Sequence, residues 1–204
     1  STNKKKNKKT RSKKQKGGEE DEQEKLNTKL SSAARIGSKT MIEKALKKGA
    51  DINAKNTNTK YKPPLIEASI HGHTEIVSYL LKEGADVNIT DDNGKTALTV
   101  LIIFRTQVLP QLYEKHIEII NILLNAGIDV NIEDENGDNA IELVEEKLYE
   151  RADIREILRE HIVNQNMKKH KEDQDERELK WSIMDKNEIP EKLANSIFNE
   201  YGGK

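Results

Sequence analysis

Five histidines and 36 carboxylate side chains are the groups in this 204-residue chain with the most chemical reach, and their spacing gives them little to do. His71 and His73 stand two apart. Two imidazoles begin a zinc-type site only where further ligands converge, and no set at helical i, i+4 spacing supplies them. Carboxylate pairs such as Glu145-Glu146 suit general acid–base work, yet among 36 acidic residues they mark no particular site. There is no cysteine, which removes the thiolate zinc site, the thiol nucleophile and the disulfide framework together. Gly17-Gly18 and Gly202-Gly203 lack the pattern of a phosphate-cradling loop. The sequence assigns no catalytic residue, no cofactor-binding residue and no metal ligand, and a non-enzyme is expected.

The elements that must position any functional surface are announced by a phrase that recurs. Gly49-Ala50-Asp51-Ile52-Asn53, Gly84-Ala85-Asp86-Val87-Asn88 and Gly127-Ile128-Asp129-Val130-Asn131 each follow an apolar pair, Ala45-Leu46, Leu80-Leu81 and Leu123-Leu124. The glycine falls just past a helical pattern, where a left-handed C-cap favours it. Asp92-Asn93-Gly94 and Glu135-Asn136-Gly137 are turn sequences of the Asn-Gly kind. Thr96 and Pro63 stand where helices begin, one as a cap and one as a first-turn proline. Ile76, Val77, Leu80 and Leu81 form an apolar stripe that one unit can bury only against the next.

These residues resemble the ankyrin repeat. The second unit carries the fullest match, with Pro63-Pro64-Leu65, Glu67-Ala68-Ser69, Gly72-His73-Thr74-Glu75-Ile76-Val77, Leu80-Leu81 and the Gly84 phrase. Leu65 and Leu98 are 33 residues apart, whereas Leu98 and Ile141 are 43 apart, so the third unit carries an insertion. The resemblance spans about residues 26–162. It implies an all-α solenoid of about four helix-turn-helix units (26–55, 56–90, 91–132 and 133–162) with short β-turn or hairpin fingers. It also places His73 and His116 at the family's Gly-His position, where a local hydrogen bond is expected to hold the loop.

For such a stack the resemblance implies a protein partner, bound at finger tips and at the exposed face of each first helix. Carried onto this chain, the first helices offer Arg35, Ile36, Ile70, His71, Ile103 and Phe104. The tips offer Lys55, Tyr61, Asp92, Asn93, Lys95, Glu135, Asn136 and Asp138. In the third unit Arg105 replaces a family glycine, and an inserted segment with Val108, Leu109, Leu112 and Tyr113 runs to about Lys115. It either folds back over Ile103 and Phe104 or offers Phe104 and Tyr113 as aromatic anchors.

The ends are different material. Ser1 to Lys16 holds nine basic residues and no acidic or apolar one, followed by the acidic run Glu19-Glu20-Asp21-Glu22. Residues 1–25 read as a disordered arm, with nuclear import or weak electrostatic contact with nucleic acid or an anionic membrane as its functional readings. Residues 163–180 read as a charged linker or solvated helix, and 181–204 as an amphipathic segment. Ile189, Pro190, Leu193, Ile197 and Phe198 resemble the opening helix of an F-box, which implies contact with a Skp-type ubiquitin-ligase adaptor; the alternative is a cap on the stack. No apolar run approaches the length needed to cross a bilayer, and no signal-peptide core follows the first residues. The expectation is an intracellular monomer, cytoplasmic or nuclear, or acting in a host cell if it is a pathogen effector.

Overall fold

Each helix pair in the structure grows from the same local sequence. The computed structural model describes residues 22–55, 61–104, 110–147 and 152–186. Helix α1 (22–36) pairs with α2 (Lys39–Lys47), α3 (Pro64–Ile70) with α4 (Thr74–Lys82), and α5 (Ala97–Ile103) with α6 (Pro110–Asn125). The fourth unit opens with α7 (Ala140–Glu142), which continues as a π-type turn over Leu143–Lys147, and α8 (Ala152–Lys186) follows. Among the described residues the only extended pairing is a single antiparallel bridge between Thr90 and Thr96. The all-α repeat architecture read from the sequence is the one observed.

Local chemistry sets the helix ends. Thr96 caps α5 by accepting a hydrogen bond from the Thr99 N–H (3.2 Å). Asn139 caps α7 in a reciprocal box: its side chain takes the Ile141 and Glu142 N–H groups, and the Glu142 carboxylate takes the Asn139 N–H. Pro63 is not the first-turn proline; it precedes the helix, and Pro64 holds the first position, where a missing N–H costs nothing. Gly84 closes α4 with φ +93, and Gly49 and Gly127 repeat that left-handed turn after α2 and α6.

Packing follows the apolar stripe. Leu30, Ile42, Leu65, Ile66, Leu80, Leu98, Leu101, Ile119, Ile120 and Leu123 are almost fully buried, a core strung along the stack rather than gathered at one centre. Ala33, Ala34 and Ala68 are fully buried, small residues within the helices of the first two units.

A polar ladder runs beside this core, and it explains the Asp-x-Asn of the phrase. Within each phrase the aspartate carboxylate accepts the N–H two residues on: Asp51 from Asn53, Asp86 from Asn88 and Asp129 from Asn131, each at 2.9 Å. The asparagine then reaches the next unit. Asn53 Oδ1 accepts the Asp86 N–H and Asn88 Oδ1 accepts the Asp129 N–H, both at 2.8 Å. Asn27, on α1, supplies the first rung by accepting the Asp51 N–H at 2.9 Å.

One expectation is corrected and one open alternative is resolved. The insertion in the third unit is not a loop to Lys115, because α6 already begins at Pro110. It lengthens the second helix of that unit and carries Leu112 across Gly72, so close that a Cβ there would lie 2.3 Å from Leu112 Cδ1. Residues 163–180, expected as a charged linker or a solvated helix, form the helix: they are the middle of α8. The chain divides into two compact units, one ending at Ile157 and the other beginning at Leu158. In the second, Val163 and Met167 are exposed one turn apart.

Candidate interaction surface

The fingers are built around buried carboxylates that the sequence reading overlooked. Asp91 opens the third finger, and its carboxylate accepts the N–H groups of Asn93 and Lys95 (both 3.0 Å). Asp134 does the same in the fourth finger with Asn136 (2.8 Å) and Asp138 (3.2 Å). Each aspartate then takes a lysine from the preceding finger, Lys62 to Asp91 and Lys95 to Asp134 (2.7 Å). Burial by itself raises both aspartate pKa values. The lysine and the backbone N–H groups outweigh it and hold both carboxyls below the ordinary aspartate range. The clue in the sequence was Asp-x-Asn-Gly-Lys, whose first residue repeats as Asp91 and Asp134.

The finger residues expected to meet a partner therefore divide into two groups. Lys95 is bound to Asp134, and Lys55 donates to the Thr90 hydroxyl at 2.9 Å, so both tie one unit to the next. The Asp138 N–H closes the fourth turn. Asp92, Asn93, Glu135 and Asn136 are exposed at the tips. Tyr61 is half-buried, with the Arg35 guanidinium 6.0 Å from its ring centre.

At the ends of the first helices the repeat lines up three pairs, Arg35-Ile36, Ile70-His71 and Ile103-Phe104. Arg35 and Ile36 are exposed, Ile36 by 62%, and the other four are half-buried. His71 bonds through Nδ1 to the Glu67 carbonyl in its own helix (2.9 Å). Glu67 lies four residues earlier, a helical spacing the sequence reading passed over. Its carboxylate is buried, accepts the Lys62 N–H at 2.8 Å, and lies 3.6 Å from His71. Phe104 meets His116 edge-on at 5.5 Å, and Tyr113 is half-buried on α6.

The two Gly-His histidines act across units, not locally as expected. His73 Nε2 donates to the Arg35 carbonyl and His116 Nε2 to the Ile70 carbonyl, each at 2.9 Å and each in the preceding unit. They position the first-helix row by fastening the carbonyl at its edge.

Among the described residues no group of three or more His, Asp or Glu is placed to hold a metal ion. None of the described helices is long and apolar enough to cross a membrane. Residues 1–21 of the arm and the F-box-like residues Ile189, Pro190, Leu193, Ile197 and Phe198 lie outside the described residues, whereas residues 22–25, expected in the disordered arm, are the first turn of α1.

Compared with known proteins, residues 30–134, just over half of the chain, match the sequence model described as ankyrin repeats in three copies. No curated protein matches the chain.

Proposed function

The chain belongs to the ankyrin-repeat family, whose members are generally non-catalytic protein-interaction modules, and we propose that it binds a partner protein on the first-helix row and the tips of the third and fourth fingers. The observation that carries this reading is how the polar groups are used. The phrase aspartates are consumed in closing their own turns, while Asn53, Asn88, both finger aspartates and both Gly-His histidines are consumed in joining unit to unit. Arg35, Ile36, Asp92, Asn93, Glu135 and Asn136 are left exposed on this scaffold. Ile36 anchors the apolar end of the surface, and the tips add polar specificity. Binding leaves the scaffold itself unchanged, and no bond is made or broken.

The test compares the full chain with a variant carrying Ile36→Asp, Asp92→Lys and Glu135→Lys, each used to capture proteins from cells. A protein held by the parent, absent from the variant and shown to bind the purified parent supports the surface. Equal recovery of the same proteins by both overturns it. Recruitment of a Skp-type adaptor through residues 189–198 rests on the sequence resemblance alone. Titration of purified adaptor against the full chain and against one ending at Lys186 tests that part separately.

A further inference from the structure

Among the described residues, the first repeat leaves exposed an edge that the next two repeats bury. On α4 this edge faces the preceding unit: Lys39 lies 3.3 Å from the Glu75 carboxylate and 5.2 Å from the Tyr79 ring centre. Ile76 sits beside Glu75 and Tyr79 on that edge and is only 3% exposed. On α6 the arrangement repeats. Glu118 accepts a hydrogen bond from the Thr74 hydroxyl at 3.3 Å, and its neighbour Ile119 is fully buried. The equivalent residue of α2 is Met41, and it is 47% exposed. Lys44 takes the place of Tyr79, and Lys48 follows one turn later. Both are exposed on the same stripe as Met41. The α2 side of the leading edge is thus an exposed methionine flanked by two lysines.

A further repeat of the same kind does not fit there without displacing a contact already made. In units two and three the Asp N–H of the phrase is taken by the asparagine of the unit before. In unit one that rung is occupied from within: Asn27 accepts the Asp51 N–H, and Gln23 Nε2 donates to the Gly49 carbonyl, both at 2.9 Å. The finger side of the leading edge is closed, and only its helix side is open.

We propose that this edge docks an amphipathic helix of a partner protein, with an apolar stripe against Met41 and carboxylates against Lys44 and Lys48. Helix against helix is the packing the edge makes in the other units, and the lysines select the sign of the flank. This surface is separate from the first-helix row, and the proposal stands without it.

The test uses the full chain and two synthetic helical peptides with the same leucine stripe, one flanked by glutamates and one by lysines. The glutamate peptide is expected to shift the Met41 methyl resonance. Its affinity should fall on the order of tenfold or more in Met41→Asp, in the pair Lys44→Glu with Lys48→Glu, and at high salt. The lysine-swapped chain should instead accept the lysine peptide, which shows that it remains folded. An unshifted Met41 with the glutamate peptide, or equal binding of both peptides, overturns the proposal. So does a concentration-dependent dimer of the free chain that Met41→Asp dissolves, since a second copy would then hold the edge.

Discussion

The Lys95 ammonium lies 2.7 Å from the Asp134 carboxylate, so that a lysine in the third finger neutralises the carboxylate on which the fourth is built. The Asp134 side chain is 1% exposed and that of Lys95 21%. Removing the lysine strands a buried charge, whereas removing the carboxylate leaves a lysine that can turn to water. Lys95→Met should therefore cost about 2–4 kcal/mol and Asp134→Asn less, measured by urea unfolding. Equal small losses for both would mean that the pair is solvated.

The same two carboxylates set an acid limit. Asp91 and Asp134 have folded pKa values below their unfolded ones. Their stabilisation is fully present above the unfolded aspartate value of about 4, and it drains away as pH falls through the lower folded values. Melting temperature should drop steeply below about pH 4 in the parent. The double variant Asp91→Asn, Asp134→Asn should start lower and lose less over that range. Parallel curves would count against these groups as the cause.

Gly37 and Gly49 separate backbone strain from steric contact. Both have positive φ, +78 and +89, so alanine is strained at either. At Gly49 a Cβ meets nothing within 4 Å, but at Gly37 it lies 2.6 Å from Nδ1 of His73. Gly49→Ala should cost about 1 kcal/mol. Gly37→Ala should cost about 1–2 kcal/mol more, because it also pushes His73 off the Arg35 carbonyl. Thermal unfolding of the two variants side by side decides it; equal losses would mean that the histidine bond is dispensable.

Asn88→Ala should act on the next unit rather than its own. The lost partner is the Asp129 N–H, so hydrogen exchange should quicken there by roughly fivefold for about 1 kcal/mol of bond. The Asp86 N–H, held by Asn53, should exchange as before. An equal rise at both would show that the variant loosens the stack as a whole.

Much of the fold was legible because ankyrin-type information is local and repeated. Gly84, Thr96 and the stripe Ile76, Val77, Leu80 state their conformations within a few residues, and the phrase states them three times. What was not legible depends on partners about 30–45 residues away. His73 read as a local bond because its true acceptor, the Arg35 carbonyl, lies in another unit. Asp91 and Asp134 read as ordinary turn residues, since nothing nearby in sequence shows that a lysine from the previous finger arrives to allow their burial. The insertion read as a loop because Arg105 broke the pattern, although helix α6 had only begun earlier.

The sequence by itself determined that helix pairs form, where they turn, and that they must stack, because short-range dihedral preference and apolar spacing suffice for that. Only the tertiary structure decided which polar groups are used between units and which stay exposed. A side chain such as Lys95, and an exposed one such as Asp92 beside it, look alike in sequence. Stacking brings Asp134 to the first and, among the described residues, nothing comparable to the second. It likewise buries Ile76 and Ile119 while leaving Met41 open, because burial belongs to the neighbouring unit and not to the residue.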